Sequence, residues 1–243
     1  HKSSHSFPTR RSSDLIAQKP VKLICAGRTD TGVHATMQVA HFDTDARRPL
    51  EAWVRGVNSH LPTSVAVLWA VAVDDEFHAR FSAEARRYRY VLLNRRIRPG
   101  VLNGRVGWTH GPLDEEAMAA AAGCLIGKHD FTSFRAAECQ AKSPVRVMHS
   151  VVVRRQGDIV LFDFHANAFL HHMIRNLVGS LVFIGKGRRP VEWMGELLAE
   201  RNRTLAAPTF SPDGLYLCGV DYPPRWSLPD GGRIIAAPQL LLP

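Results

Sequence analysis

The chain has 243 residues, 45% of them hydrophobic and 22% charged, enough for a substantial core in one large domain or two lobes. Thirty-one Lys and Arg stand against 22 Asp and Glu, and a formal net charge of +9 points to a polyanionic partner such as nucleic acid. The four cysteines, Cys25, Cys124, Cys139 and Cys218, form no C-x-x-C pair, which fits a reduced cytoplasmic compartment, and no charge-free apolar run reaches the roughly 18 residues of a membrane span.

Residues 1–15 are rich in Ser, Arg and His, show neither apolar period, and lack the apolar centre of a signal peptide. The run 6–15 resembles sequencing-adaptor read-through, so 1–15 reads as a foreign or disordered segment. An N-terminal lobe is expected over 16–110. Residues 21–25 read as a strand, 65–73 as a buried strand, and 87–93 as a strand with Tyr88, Tyr90 and Leu92 on one face and Arg87 and Arg89 on the other. A turn-rich patch at 98–112 marks the lobe break. A C-terminal lobe is expected over 111–223. Asp114 is placed to cap a helix running to Ile126 and stopped by Gly127. Strands at 145–154 and 159–165 form a hairpin around Gln156-Gly157-Asp158. Residues 168–184 have helical character, Pro190 opens a helix over 191–201, and 215–220 is a last strand. Residues 224–243 read as a loose tail. Hairpins mixed with helices, without strict βαβ alternation, predict an α+β protein with a largely antiparallel sheet.

Four constellations carry chemical meaning. In Ala26-Gly27-Arg28-Thr29-Asp30-Thr31-Gly32-Val33-His34-Ala35, a single carboxylate follows a short apolar run and precedes a Thr-Gly turn. A strand end that leads into a loop is where functional side chains are often presented, and Arg28 nearby favours an ionised, nucleophilic Asp30. Taken alone, Asp-Thr-Gly is an ordinary turn. Phe77-His78-Ala79-Arg80-Phe81 and Arg86-Arg87-Tyr88-Arg89-Tyr90 interleave cations with rings, as phosphate neutralisation and base stacking require; the plainer alternative is arginine stems covering a strand edge. Arg175 lies in a largely apolar helical run and needs a carboxylate partner, for which Asp30 is the natural choice. His165, His171 and His172 suggest a metal, but adjacent residues on a helix diverge and no second acidic ligand is spaced to close a site, so no metal is expected. In the fourth run, Asp130 to Lys142, Phe131 and Phe134 read as core, while Arg135 and Lys142 could reach phosphate and Glu138 lies between them.

Together these residues resemble the tRNA pseudouridine synthase A family. The resemblance rests on Gly27–Ala35, Phe77–Ala83, the Arg86–Tyr90 strand, the Asp130–Arg135 run, the Asn167–Asn176 segment and Gly214–Leu217, in that order, and covers about 22–222. The family opens with a strand and helix carrying a Tyr-x-Gly-Trp-Gln-like stretch that has no counterpart before Lys22. The resemblance implies two lobes with flanking helices around an active-site cleft. It also implies isomerisation of uridine to pseudouridine at positions 38, 39 and 40 of the tRNA anticodon stem-loop, without metal or cofactor, in a cytoplasmic homodimer.

By that resemblance Asp30 is the catalytic aspartate, acting on the ribose C1′, on the base C6, or in proton abstraction at the sugar. Arg175 pairs with it, Tyr88 stacks on the base, and Arg28 fills the space of the flipped nucleotide or holds its phosphate. Leu215 forms part of the pocket floor, and Arg48, Arg80, Arg86, Arg87 and Lys142 line the backbone track. Phe77, His78, Phe81 and Glu138 complete the expected substrate contacts. Three rival readings are a non-catalytic RNA-binding fragment of this fold, a related synthase with another target, and an aspartic protease. The last would need a second Asp-Thr-Gly, and one copy is present.

Overall fold

The computed structural model describes residues 8–229. They divide into two compact units: one takes the residues up to Gly27, Val39–Ala83 and the segment from Tyr222, and the other takes Arg28–Gln38 and Glu84–Asp221. The main boundary therefore falls at Ala83/Glu84, not in the turn-rich 98–112 stretch. Strand pairing explains the difference, because residues 85–94 are laddered to strands far along the chain and cannot be separated from them.

In the first unit, α1 (Pro8–Ala17) packs on α2 (Leu50–Ser59), with Ala17, Val21, Trp53 and Val57 buried between them. The Asp14 carboxylate accepts the Val21 amide at 2.7 Å and fixes the chain as it leaves α1. The disorder expected over 1–15 thus gives way to helix from Pro8, while 1–7 lie outside the described residues. Only Ile24–Cys25 of the predicted first strand pairs (β1), with Ala40–His41 (β3). Residues 65–73 belong to no strand. The Asn58 side chain meets the Val67 backbone in both directions, at 2.8 and 2.7 Å, and supplies the pairing a neighbouring strand would have given. The tail is docked through Leu228: Trp226 is buried edge-on against Phe77 at 5.2 Å, and residues 230–243 lie outside the described residues.

The second unit is built on a seven-stranded sheet. β4 (Ala85–Asn94) runs antiparallel to both β8 (Ile159–Ala166) and β9 (Leu215–Asp221). β8 continues to β7 (Val145–Gln156), and β7 to β6 (Gly127–Asp130). Two short parallel additions complete it: β2 (His34–Ala35) on β9 and β5 (Gly107–Thr109) on β4. The sheet is largely antiparallel, as the hairpin around Gly157 predicted, and the class is α+β. β4 alternates as read from sequence. Tyr90 and Leu92 are fully buried, whereas Arg87 and Arg89 point the other way, to Asp221 and Asp163.

Helices α3 (Glu115–Gly123), α4 (Met173–Gly185) and α5 (Trp193–Glu200) share one core with Tyr90, Phe162, Phe164, Leu177 and Leu181. Each such side chain contributes about 1.5–3 kcal/mol on burial. Asp114 caps α3 by accepting the Ala117 amide at 2.9 Å, as expected, but α3 ends at Gly123, three residues early. Phe131 and Phe134 are fully buried. α4 begins five residues later than predicted. His172 immediately before it adopts φ +61°, a left-handed conformation that no helix can run through.

Candidate active site

The segment Arg28–Gln38 is sewn to one edge of the sheet. His34 and Ala35 pair with Tyr216 and Leu217, and the amides of Thr36 and Met37 both donate to the Leu217 carbonyl. Just before this addition the chain turns, the Val33 amide donating to the Asp30 carbonyl at 3.0 Å. Gly32 makes the turn possible. Its φ is +84°, and a Cβ there would sit 2.9 Å from Cγ of Pro212. Asp30 is thereby presented beside β9, next to the strand that carries Tyr88 opposite Leu217.

Three cationic or imidazole groups converge on the Asp30 carboxylate. Nε2 of His171 lies 3.2 Å from Oδ1, Nε2 of His172 lies 3.2 Å from Oδ2, and Nη1 of Arg175 lies 3.5 Å from Oδ2. The predicted Arg175–Asp30 pair is therefore present. Arg175 is held from behind: its Nε donates to the Phe210 carbonyl at 2.8 Å, and the Phe210 amide returns a bond to the Arg175 carbonyl. Among the described residues no second aspartate pairs with Asp30, as an aspartic protease would require.

The two histidines correct the sequence reading. Adjacent residues on a helix do diverge, but His171 and His172 precede α4. The left-handed turn at His172 brings their rings to 3.9 Å, both facing Asp30. The signal for this was the motif itself, two histidines just ahead of a helix. The backbone reversal that makes them converge is not visible in residue types. His165, grouped with them from sequence, is directed elsewhere, 2.8 Å from Asp221. Burial, and then its neighbour His171, push the His172 imidazole below its ordinary value, so it is neutral near pH 7.

Tyr88 shares the site. Its ring stands edge-on to Phe169 at 5.1 Å, and burial pushes the phenol up to about 12, with the Asp30 charge adding to the rise. A phenol neutral to that pH donates a hydrogen bond and does not act as a ready-made base. Folding linkage gives a direct check. With the folded value raised above the ordinary 10, the stabilisation is complete below pH 10 and is lost as pH rises towards 12. Tyr88→Phe is therefore expected to unfold less steeply between pH 10 and 12 in urea titrations; equal slopes in the two proteins would show that the phenol is not held neutral.

Other expected contacts are distributed unevenly. Leu215 is buried at the start of β9. Arg28, Arg48, Arg80, Glu138 and Lys142 are exposed, and Phe81 is 76% exposed with Arg80 beside its ring. Phe77 is a correction. It is only 6% exposed, packed on Tyr222 and Trp226, and serves the core of its own unit, not a stacking surface. His78 accepts the Arg80 and Phe81 amides on Nδ1 and shapes that turn. Arg86 donates to the Asn167 carbonyl, and Arg87 forms a two-pronged pair with Asp221. Arg135 likewise donates to the Cys139 and Ala141 carbonyls.

Comparison with known proteins agrees with this geometry. The family model described as tRNA pseudouridine synthase matches residues 3–82 and 121–223. A protein named tRNA pseudouridine synthase A from Aromatoleum aromaticum is 65% identical over 225 residues, 93% of this chain and 85% of that one. Proteins of the same name from Dechloromonas aromatica and Thiobacillus denitrificans are 63% and 60% identical, over 88% and 92% of this chain and 82% and 86% of theirs.

Proposed function

This chain belongs to the tRNA pseudouridine synthase family, and we propose that it isomerises uridine to pseudouridine at positions 38, 39 and 40 of the tRNA anticodon stem-loop. One observation carries the reading: a lone carboxylate, Asp30, partly exposed and surrounded by Arg175, His171 and His172. Arg175 and the two imidazoles hold the carboxylate in one orientation, as a nucleophile requires.

In the reaction the N1–C1′ bond breaks, the base turns, and a C5–C1′ bond forms. The C5 proton leaves and N1 gains one, so the product is an isomer and no oxidant or reductant is consumed. Asp30 is the nucleophile; its attack at C1′ and at C6 both fit a carboxylate presented on a turn. Arg175 orients it. Tyr88 stacks on the extruded base, and Leu215 lies beneath. Exposed Arg28 takes the space the nucleotide leaves or its phosphate, and extrusion costs a few kcal/mol, less where pairing is weak. Arg48, Arg80 and Lys142, all exposed, follow the phosphate backbone. No helix among the described residues is long and apolar enough to cross a membrane. A homodimer in the cytoplasm completes the proposal, on the strength of the family resemblance.

The test is to incubate the chain with unmodified tRNA carrying uridines at 38 to 40 and to map pseudouridine by carbodiimide labelling and primer extension. Stops at those positions are expected. Stops elsewhere only would assign a different target, and tRNA binding without any stop would make this a binding protein.

A further inference from the structure

The cluster that surrounds Asp30 has a second chemical property. Nε2 of His171 and Nε2 of His172 each lie 3.2 Å from an oxygen of Asp30, and the three ligand atoms fall within 4.8 Å of one another. Zinc holds imidazole nitrogen and carboxylate oxygen at about 2.0–2.1 Å, and two such ligands at a tetrahedral angle stand about 3.3 Å apart. Each imidazole thus stands at that distance from one Asp30 oxygen, a different one for each, and the three ligand atoms are close enough to be drawn around one zinc ion with a fourth position left open. All three side chains are between a quarter and two-fifths exposed, so a solvated ion can reach them.

We propose that Asp30, His171 and His172 form a binding site for a divalent transition-metal ion of the zinc type, and that an ion bound there reversibly inhibits the enzyme. Binding itself is independent of the proposed reaction; the inhibition rests on Asp30 being its nucleophile. A carboxylate coordinated to a dication has its lone pairs engaged and cannot attack carbon. Each imidazole coordinates through Nε2 as the neutral tautomer, its one proton residing on Nδ1. Of the charged groups that face the cluster, Glu138 assists a cation and Arg175, 3.5 Å from Oδ2, opposes it. The opposition predicts an exchangeable ion and not a resident one.

The probe is cobalt(II), titrated into the full chain and read by its visible absorption, alongside zinc inhibition of pseudouridine formation. The expected result is one cobalt per chain with a nitrogen and oxygen spectrum, and zinc inhibition reversed by EDTA. His171→Gln and His172→Asn should each raise the cobalt and zinc concentrations required by roughly tenfold or more. Asn is chosen at 172 because it tolerates positive φ, and His171→Gln keeps the test open if that variant does not fold. The four free cysteines are the competing ligands, and Cys124 is exposed. Sulfur-to-cobalt charge transfer, or inhibition unchanged in both histidine variants, would place the metal on a thiol and overturn the proposal, as would no binding at millimolar cobalt. Cobalt bound as expected by a chain that forms no pseudouridine would leave the site standing and remove the proposed reaction.

Discussion

Asp30→Asn is expected to reduce pseudouridine formation by on the order of 10⁴-fold or more while leaving tRNA affinity within a few-fold of the parent. Loss of a covalent nucleophile in other enzymes has effects of that scale. The substitution keeps shape and volume, so the turn through Gly32 and the strand pairing of His34 and Ala35 with Tyr216 and Leu217 should persist. What it removes is the charge and one acceptor. His171, His172 and Arg175 are left around a neutral amide, and the amide nitrogen presents donors to groups that themselves donate. Single-turnover kinetics with labelled tRNA, together with filter binding, separate the two quantities. A fall in binding that matches the fall in rate would mean that Asp30 holds RNA and does not attack it. Retained turnover would remove the nucleophile from the proposal altogether.

How much of this was legible beforehand varies with physical scale. Alternation of period two in β4 survived unchanged, because Tyr88, Tyr90 and Leu92 face a core and Arg87 and Arg89 find carboxylates on the opposite face. The Asp114 cap was legible for the same reason: one side chain and one amide decide it. The 65–73 segment was not, since its apolar, β-prone composition states only a preference. Among the described residues no strand pairs with it, and Asn58 bonds the Val67 backbone instead. Nor was the fate of Phe77. An aromatic between charged residues looks the same in sequence whether it stacks on a base or on Trp226.

The site shows the same division more sharply. Asp30 and its pairing with Arg175 could be inferred, because a cation in an apolar helix demands a carboxylate. The part played by His171 and His172 could not, since it depends on a single backbone reversal at φ +61°. The arginines divide likewise. Arg86, Arg87 and Arg135 read as RNA contacts in sequence, and each also makes hydrogen bonds within the fold. Residue type gives the capacity to bind phosphate; only the fold shows which other bonds each cation makes.

The position of β9 beneath the site depends on a glycine, and this gives the largest stability effect expected. Gly214 precedes Leu215, and its amide neighbourhood is crowded. A Cβ there would lie 2.4 Å from the Val91 carbonyl oxygen, 2.6 Å from the Gly107 amide nitrogen and 2.7 Å from the Tyr90 ring. Two of those three atoms are backbone and cannot swing away. The Val91 amide also donates to the Gly214 carbonyl at 2.8 Å, and the Tyr90 hydroxyl donates to Ser211, so the two chains are fastened on either side of the contact. Gly214→Ala must therefore push β9 from β4 and β5 or break those bonds. We expect a cost of about 3 kcal/mol, the upper end for overpacking, and a fall in Tm of roughly 10 °C. Because Leu215 and the Asp30 segment both hang from β9, turnover should fall even where the variant stays folded. Gly100→Ala is the control, since nothing lies within 4 Å of a Cβ at that position, and its Tm should be unchanged. Equal melting of the two variants would mean that β9 has room the contacts deny, and that the floor of the site is not set by this close approach.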